Sequence, residues 1–519
     1  MFRAMLKKMP IGIQGFEGLR KDGYAYVDKT RRMYQMVDSG RYYFLSRPRR
    51  FGKSLLVSTL KAYFEGKREV FEGLEIAQLE HDWVKRPVLM LDLNTNKYDA
   101  PEVLEIKLDE SLRQWEELYG CEREDLPLGM RFENVIRRAA EKTGHRVAIL
   151  VDEYDKPMLQ AIGKPDLQEA YRNTLKGFYG ALKSMDPYIK FAFLTGVTKF
   201  GKVSVFSDLN NLMDISMDAE YYDICGITQQ ELLTYFAPEV EALAEANGMT
   251  NEECVEKLRK EYDGYHFHPN VQGMYNPFSV LNTLKRKEFG SYWFETGTPT
   301  YLVTLLQMHE YNLKEMAQSE VIADVLNSVD IASTNPIPVI YQSGYLTIKD
   351  YDPDFKTYTL GFPNAEVEEG FIKYLLPHYT AVDEVGTGFC IKQFVKDVRE
   401  GRTEQFVERL QSLFADTPYE LVKNLENHYQ NVVWLLFKLL GFYVQAEYHT
   451  SRGRIDLVVK TQDYCYVIEF KLDGTAEEAL EQISSKDYVL PFQMEHQQII
   501  RIGMNFDPKT RNIERYLVG

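Results

Sequence analysis

Gly52-Lys53-Ser54 closes a short loop that follows an apolar run, Tyr42-Tyr43-Phe44-Leu45, and leads into a helical pattern beginning at Leu55-Leu56. Strand, tight loop, Gly-Lys-Ser and helix is the order of a phosphate-binding loop. Backbone N–H groups of such a loop and of the first helical turn face the phosphates, where the helix dipole favours anions. Lys53 then reaches the β- and γ-phosphates, and Ser54 holds Mg²⁺ through its hydroxyl. The nucleotide-binding set is Arg49, Arg50, Phe51, Gly52, Lys53, Ser54 and Leu55. The full pattern begins with a glycine, and here Arg47 stands at that position. Arginine takes φ > 0 less cheaply than glycine. Either the loop opens differently or nucleotide affinity suffers. Alone, the motif also describes a surface turn, so it needs a partner acid on a second strand.

Val147-Ala148-Ile149-Leu150-Val151-Asp152-Glu153 supplies that partner. An apolar run of this kind suits a parallel strand buried on both faces. Its acids fall at the C-terminal end, where open α/β sheets place their ligands. Asp152 can bind Mg²⁺, directly or through water, and Glu153 can polarise an attacking water. The alternative is a strand capped by two solvated acids. With Gly52-Lys53-Ser54 upstream, the expectation is an ATP site. Thr195, Thr198 and Lys199, at the end of a further strand, are candidate sensors of the γ-phosphate.

A second constellation lies near the C-terminus. Arg454-Ile455-Asp456-Leu457-Val458-Val459-Lys460 and Tyr464-Cys465-Tyr466-Val467-Ile468-Glu469-Phe470-Lys471 read as two strands of a hairpin centred on Gln462 and Asp463. That pairing sets Asp456 opposite Glu469, with Cβ atoms about 4.5–5.5 Å apart. Lys471, two residues on, shares their face. Two acids this close repel, which favours a divalent cation between them, and Mg²⁺ takes such oxygen ligands. The lysine can orient a water or stabilise a developing phosphate charge. This chemistry fits metal-assisted phosphodiester hydrolysis; the alternative is a salt-bridged exposed face. Glu426, at the start of a helical run from Tyr429 to Leu440, is a candidate third acid, with Glu447 competing. Gln482 and Lys486 share a face of a later helix and can approach a phosphate.

The elements that must position these residues follow from pattern. At 519 residues the chain has room for about two to four domains. Hydrophobic content of 45% and aromatic content of 13% are globular values, and no apolar run is long enough to span a membrane. The five cysteines are scattered and form no C-x-x-C pair, which argues against a disulfide framework or a cysteine zinc site and for a reducing cytoplasm. A net charge of −16 repels nucleic acid overall, so any such binding uses a local basic surface. Alternating strands and helices through residue 215 predict a three-layer α/β domain. Tyr24 to Thr30, upstream of the loop, either approaches the nucleotide base or covers the sheet edge, with the second favoured. Residues 216–300 read as a helical lid, beginning at Ile227-Thr228-Gln229-Gln230-Glu231-Leu232. His266 and His268 could share a side of an extended segment, but no third ligand follows at useful spacing. Residues 301–385 read as winged-helix-like, with Asp352-Pro353-Asp354 as the hairpin turn and a boundary where Val385-Gly386-Thr387-Gly388 breaks the pattern. Residues 386–519 form the last domain.

At these residues the N-terminal part resembles the AAA-ATPase-like family of bacterial proteins, through Tyr-Val-Asp-Lys-Thr, Arg-Pro-Arg-Arg-Phe-Gly-Lys-Ser and Asp-Glu-Tyr-Asp. The C-terminal part resembles the PD-(D/E)XK nuclease superfamily, through Ile455-Asp456, Glu469-Phe470-Lys471 and Gln482. The resemblance implies ATP binding and a restriction-endonuclease-like α/β fold. The expected function is an ATPase whose nucleotide state controls a Mg²⁺-dependent nuclease. Glu153 acts at the first site, and Asp456, Glu469, Lys471, Gln482 and Glu426 at the second. The Mg²⁺ ligands are Ser54 and Asp152 in one site and Asp456 and Glu469 in the other. The expected partner is nucleic acid, DNA in the first instance, with self-association open and no membrane. By analogy, the context is defence against foreign DNA or maintenance of a mobile element. The alternative is a nucleotide-dependent switch or scaffold whose nuclease-like domain binds without cutting.

Overall fold

The computed structural model describes residues 6–94, 96–121, 123, 125–200, 211–294, 302, 305–306, 312–316, 319–327, 335–380, 382–415, 425–441, 445–447, 457–471, 474–486, 488–492, 496–507 and 512–519. The chain divides into two compact units, residues 1–305 with 317–367, and residues 306–316 with 368–519.

The first unit is built on a parallel sheet of β1 (Tyr42–Ser46), β2 (Val88–Asp92), β3 (Val147–Asp152), β4 (Ile189–Gly196) and β5 (Met213–Asp214). Their order is β2-β3-β4-β1-β5. Strand side chains alternate between faces, and the sheet is covered on both. Phe44, Leu91, Val151 and Leu194 pack under the helices Pro101–Tyr119, Leu128–Thr143 and Pro165–Tyr179. Tyr43, Leu45, Leu150 and Phe193 pack under Thr30–Ser39 and Lys53–Phe64. This three-layer arrangement explains why β1, β3 and β4 are apolar almost throughout. The order also sets β4 between the loop strand β1 and the acid strand β3, so a β4 side chain can bridge the two.

A helical region follows. Thr228 and Glu231 cap Gln229–Asn247 reciprocally, as the Thr-x-x-Glu spacing requires. With Asn251–Tyr262 and Pro277–Arg286 this helix buries a separate apolar cluster around Leu232, Leu243, Leu258 and Val280. The winged-helix-like region comprises Ile337–Gln342 and the antiparallel strands β6 (Glu320–Ile322), β7 (Thr347–Asp352) and β8 (Thr357–Gly361), ordered β6-β8-β7. Asp352 takes the N–H groups of Asp354 and Phe355 at 2.8 and 3.0 Å, which closes the turn.

The second unit carries the helices Glu384–Arg399, Thr403–Ala415 and Leu425–Gly441 and a sheet ordered β13-β12-β11-β10-β9. These strands are β9 (Gln445–Glu447), β10 (Leu457–Lys460), β11 (Tyr464–Lys471), β12 (Gln498–Asp507) and β13 (Asn512–Val518). Only β11 and β12 run parallel, joined across the helix Ala476–Ser485. Val385-Gly386-Thr387-Gly388 does not break the chain here. It lies in the first turns of a helix because the Asp383 side chain caps Gly386 N–H, which offsets the weak helix preference of two glycines. No helix among the described residues is long and apolar enough to cross a membrane.

Candidate functional site

The phosphate loop forms because β1 ends at a buried polar step and a helix starts at once. Gly52 takes φ 96° as N-cap of Lys53–Phe64 and has no side chain to cap it. The first helical N–H groups are therefore left for an external acceptor. The other left-handed residue is Arg50, at φ 66°. Arg47 is not left-handed, so the conformational objection to arginine there is removed: the loop opens differently. Its guanidinium turns back into the protein, 1% exposed. It donates to the carbonyls of Ser46, Ser216 and Tyr221 at 3.0, 2.7 and 3.2 Å and lies 3.9 Å from the Phe267 ring centroid. Burial pushes its pKa down to about 10.

Lys53 Nζ donates to the carbonyls of Arg47 and Pro48 at 3.0 and 3.3 Å and lies 3.2 Å from Glu153 Oε1. Glu153 itself is left-handed, at φ 53°, a strained state for a side-chain-bearing residue. Asp152 is 4% exposed and accepts from Thr195 Oγ1 at 2.6 Å. Burial first, then the Glu153 charge, raises its pKa, against hydrogen bonds from Ser54 and Thr195 and the Lys53 charge. The structure thus brings Lys53, Ser54, Asp152 and Glu153 together. A buried carboxylate facing a serine hydroxyl fits a hard cation.

Of the sensor candidates only Thr195 reaches this group. Thr198 gives its N–H and hydroxyl to Asp155, both at 2.6 Å, and Lys199 pairs with Asp214 at 2.8 Å. Each meets an acid of its own, Asp155 buried and Asp214 partly so. His266 Nδ1 lies 3.0 Å from the Gly264 carbonyl and His268 Nδ1 accepts from Asn270 N–H at 3.1 Å.

A cavity of about 370 Å³ opens over the loop, with Arg49, Arg50, Gly52, Lys53, Ser54, Leu55 and Glu153 in its wall. Phe51 turns away, with ring centroids 4.8 and 5.5 Å from Tyr265 and Phe267. It lines a neighbouring apolar cavity of about 100 Å³ with Tyr26, Val27, Ile227 and Phe236. The upstream segment therefore lines the apolar cavity and does not merely cover a sheet edge. Pro10 to Gln14, Asn94, Lys156, Leu159, Val197, Pro277, Phe278 and Leu281 complete the larger wall. Sequence reasoning did not find them. Apart from Pro277, which opens its helix, they carry no motif.

In the second unit the hairpin pairs Leu457 with Ile468 and Lys460 with Cys465, the register inferred from sequence. Glu469, 2% exposed, accepts from Gln482 Nε2; Gln482 Oε1 accepts from Lys471 Nζ, which lies 3.6 Å from Glu469 Oε1. Gln482 also reaches the Tyr488 hydroxyl at 3.4 Å. Glu469, Lys471 and Gln482 are therefore one cluster. Gly503, which sequence reading missed, makes it possible. A Cβ there would sit 2.5 Å from the Ala476 carbonyl, so only glycine lets Ala476–Ser485 settle on β12. Lys486 ends that helix and is exposed. Asp456 lies outside the described residues. Glu426 lies in the first turn of Leu425–Gly441 and Glu447 pairs with Val458, but their side chains are outside the described set.

Residues 10–206 match the family model described as predicted AAA-ATPase, and residues 424–516 match the PD-(D/E)XK nuclease superfamily. A protein of Azotobacter chroococcum mcd 1, described as "Uncharacterized protein in vnfD 5'region", is 35% identical over 526 residues, covering 99% of each chain. The Aeropyrum pernix ORC2 structure, of ADPNP-ADP complexes, aligns over 64% of this chain and 87% of its own at 11% identity and a TM-score of 0.17. The geometry and the two family-model matches give a nucleotide-binding domain and a nuclease-like domain in one chain. The chain belongs to the family of the Azotobacter protein, an AAA-ATPase-like domain with a PD-(D/E)XK superfamily domain towards its C-terminus.

Proposed function

We propose that the chain binds and hydrolyses ATP in its first unit and that nucleotide state controls a Mg²⁺-dependent nuclease in its second. The observation that carries the first half is the Lys53–Glu153 contact of 3.2 Å in the wall of a cavity floored by an uncapped helix start. Lys53 and the loop N–H groups bind phosphates. Ser54 and Asp152 would hold Mg²⁺, which supplies charge neutralisation at the phosphates. Glu153 orients water. The neighbouring apolar cavity, with Tyr26 in its wall, suits a nucleobase.

For the second half, the Glu469–Gln482–Lys471 cluster supports a phosphodiester-cleaving centre, with Asp456 and Glu469 as the expected metal ligands. Nucleic acid is the proposed substrate, DNA first. None of the described cysteines is in a disulfide, which suits a reducing cytoplasm.

The test is incubation with plasmid, linear and single-stranded DNA and with RNA, in Mg²⁺, with and without ATP. Wild type should cleave in an ATP-sensitive manner, Lys53→Ala should lose that sensitivity, and Lys471→Ala should lose cleavage. If wild type binds nucleic acid but never cuts it, the non-cleaving switch or scaffold replaces this reading.

A further inference from the structure

The cavity over the phosphate loop carries more positive charge than the loop motif accounts for. Arg49, Arg50, Lys53 and Lys156 are in its wall against one carboxylate, Glu153. Lys53 takes that carboxylate, and the Arg50 guanidinium lies 4.9 Å from the Phe278 ring centroid. Arg49 and Lys156 are partly buried and, among the described residues, have no carboxylate at ion-pair distance. Both are held by their backbones. The Arg49 carbonyl accepts from Trp293 Nε1 at 3.1 Å, and Lys156 N–H donates to the Glu153 carbonyl at 3.1 Å.

We propose that Arg49 and Lys156 together hold the terminal phosphate of a nucleoside triphosphate in this cavity. The proposal rests on the nucleotide reading given above. Half-buried like charges facing a cavity cost free energy unless an anion joins them. Their proximity also shows in Lys156, whose pKa is lowered by burial and next by the Arg49 charge, against the smaller opposing pull of Glu153 and Asp155. The phosphate concerned is the terminal one because Lys156 leaves the chain just after Glu153, the acid assigned to the attacking water. Pro277 and Leu281 line both this cavity and the apolar one assigned to the nucleobase, whereas Arg49 and Lys156 line only this one. The cationic charge that stabilises a departing phosphoryl group then comes from the same chain, with no arginine required from a second copy.

The experiment is calorimetric titration with Mg·ATP and Mg·ADP in a Glu153→Gln background, where turnover does not intrude. Lys156→Met and Arg49→Met are each expected to weaken ATP about tenfold or more, the scale of one charge-assisted hydrogen bond, while ADP changes much less. Lys156→Arg should restore most of the ATP preference. A thermal melt accompanies each variant, and Lys156→Gln replaces a methionine variant that does not fold. Equal loss of both nucleotides, or loss of neither, overturns the proposal and leaves the two residues as solvated rim charges. If Lys53→Ala abolishes both nucleotides while the Lys156 and Arg49 variants keep the ATP-to-ADP ratio, this inference falls alone. If the background protein binds neither nucleotide, the nucleotide reading falls with it.

Discussion

Lys53 Nζ lies 3.2 Å from Glu153 Oε1, and both side chains are largely shielded, at 3% and 16% exposure. The residue that should bind phosphate thus rests on the residue that should activate water. Glu153 is also held at φ 53°, at a cost of roughly 1–3 kcal/mol. The strain keeps the carboxylate at the end of β3 beside the loop. Glu153→Gln removes a charge that competes with phosphate for Lys53. Its ATP affinity should equal or exceed that of wild type, while turnover falls by about 10²–10⁴-fold. Fluorescent-nucleotide titration and single-turnover hydrolysis read the two effects separately. Loss of affinity in Glu153→Gln would mean that Glu153 serves binding instead.

Arg47 invites the opposite experiment. Arg47→Gly restores the familiar loop pattern, yet the guanidinium supplies the buried carbonyls of Ser216 and Tyr221. Leaving buried acceptors unpaired costs about 1–3 kcal/mol each. The variant should lose about 3 kcal/mol or more in urea unfolding, with no gain in ATP affinity. Arg47→Lys should not rescue it, since a point charge cannot serve three divergent carbonyls. Unchanged stability would show that the loop tolerates glycine and that the arginine is incidental.

Asp155 sets a pH dependence. It is fully buried, accepts Val197 N–H and both Thr198 groups on Oδ2, and leaves Oδ1 without a hydrogen-bond partner among the described residues. Burial first, then the Glu153 charge, raises its pKa to about 6 from 3.8. A raised carboxyl pKa means that the folded protein binds the proton more tightly than the unfolded chain. Ionised Asp155 therefore costs stability, fully above about pH 6, and the cost fades as pH falls towards 4. Two pKa units correspond to about 3 kcal/mol. Asp155→Asn keeps a carbonyl for the Oδ2 donors and removes the charge. Its melting temperature should exceed that of wild type at pH 7.5, and the gap should close between pH 6 and 4. A gap that is constant with pH would show that Asp155 is not the titrating group.

How far the sequence could be read depends on distance along the chain. The Leu457–Ile468 pairing was legible because two strands joined by Gln462-Asp463 leave one register that buries the apolar face. Asp152 was legible because it closes an apolar strand, and Lys53 because Gly-Lys-Ser marks the step from a loop after such a strand into a helix. Phe278 and Trp293 were not, because nothing local marks a residue of the helical region that meets a loop far earlier in sequence. The direction of Arg47 was hidden for the same reason: two of its acceptors, Ser216 and Tyr221, follow β5, and only sheet order brings that strand beside β1. Gly503 was unreadable because its reason is the close approach of another helix, not a turn.

Gly503 and Lys471 separate placement from chemistry in the second unit. Lys471→Met removes a cation that is 26% exposed and bound to Gln482. Such a partly exposed contact contributes about 0–1 kcal/mol, so the melting temperature should barely move while cleavage falls by orders of magnitude. Gly503→Ala acts differently. Its Cβ would meet the Ala476 carbonyl and Leu480 N at 2.5 and 2.6 Å, both backbone atoms that cannot swing aside. The helix must shift and carry Gln482 off Glu469 and Lys471. An overpacked contact of this kind costs about 1–3 kcal/mol, so stability and cleavage should fall together. Asp456→Ala completes the set. With one acid removed, melting in EDTA should stay level or rise through relieved repulsion, and the added stability that Mg²⁺ gives wild type should disappear. Cleavage of labelled DNA and RNA, paired with melts in EDTA and in Mg²⁺, reads all three variants. If Lys471→Met cleaves like wild type, the cluster is structural and any cleavage arises elsewhere.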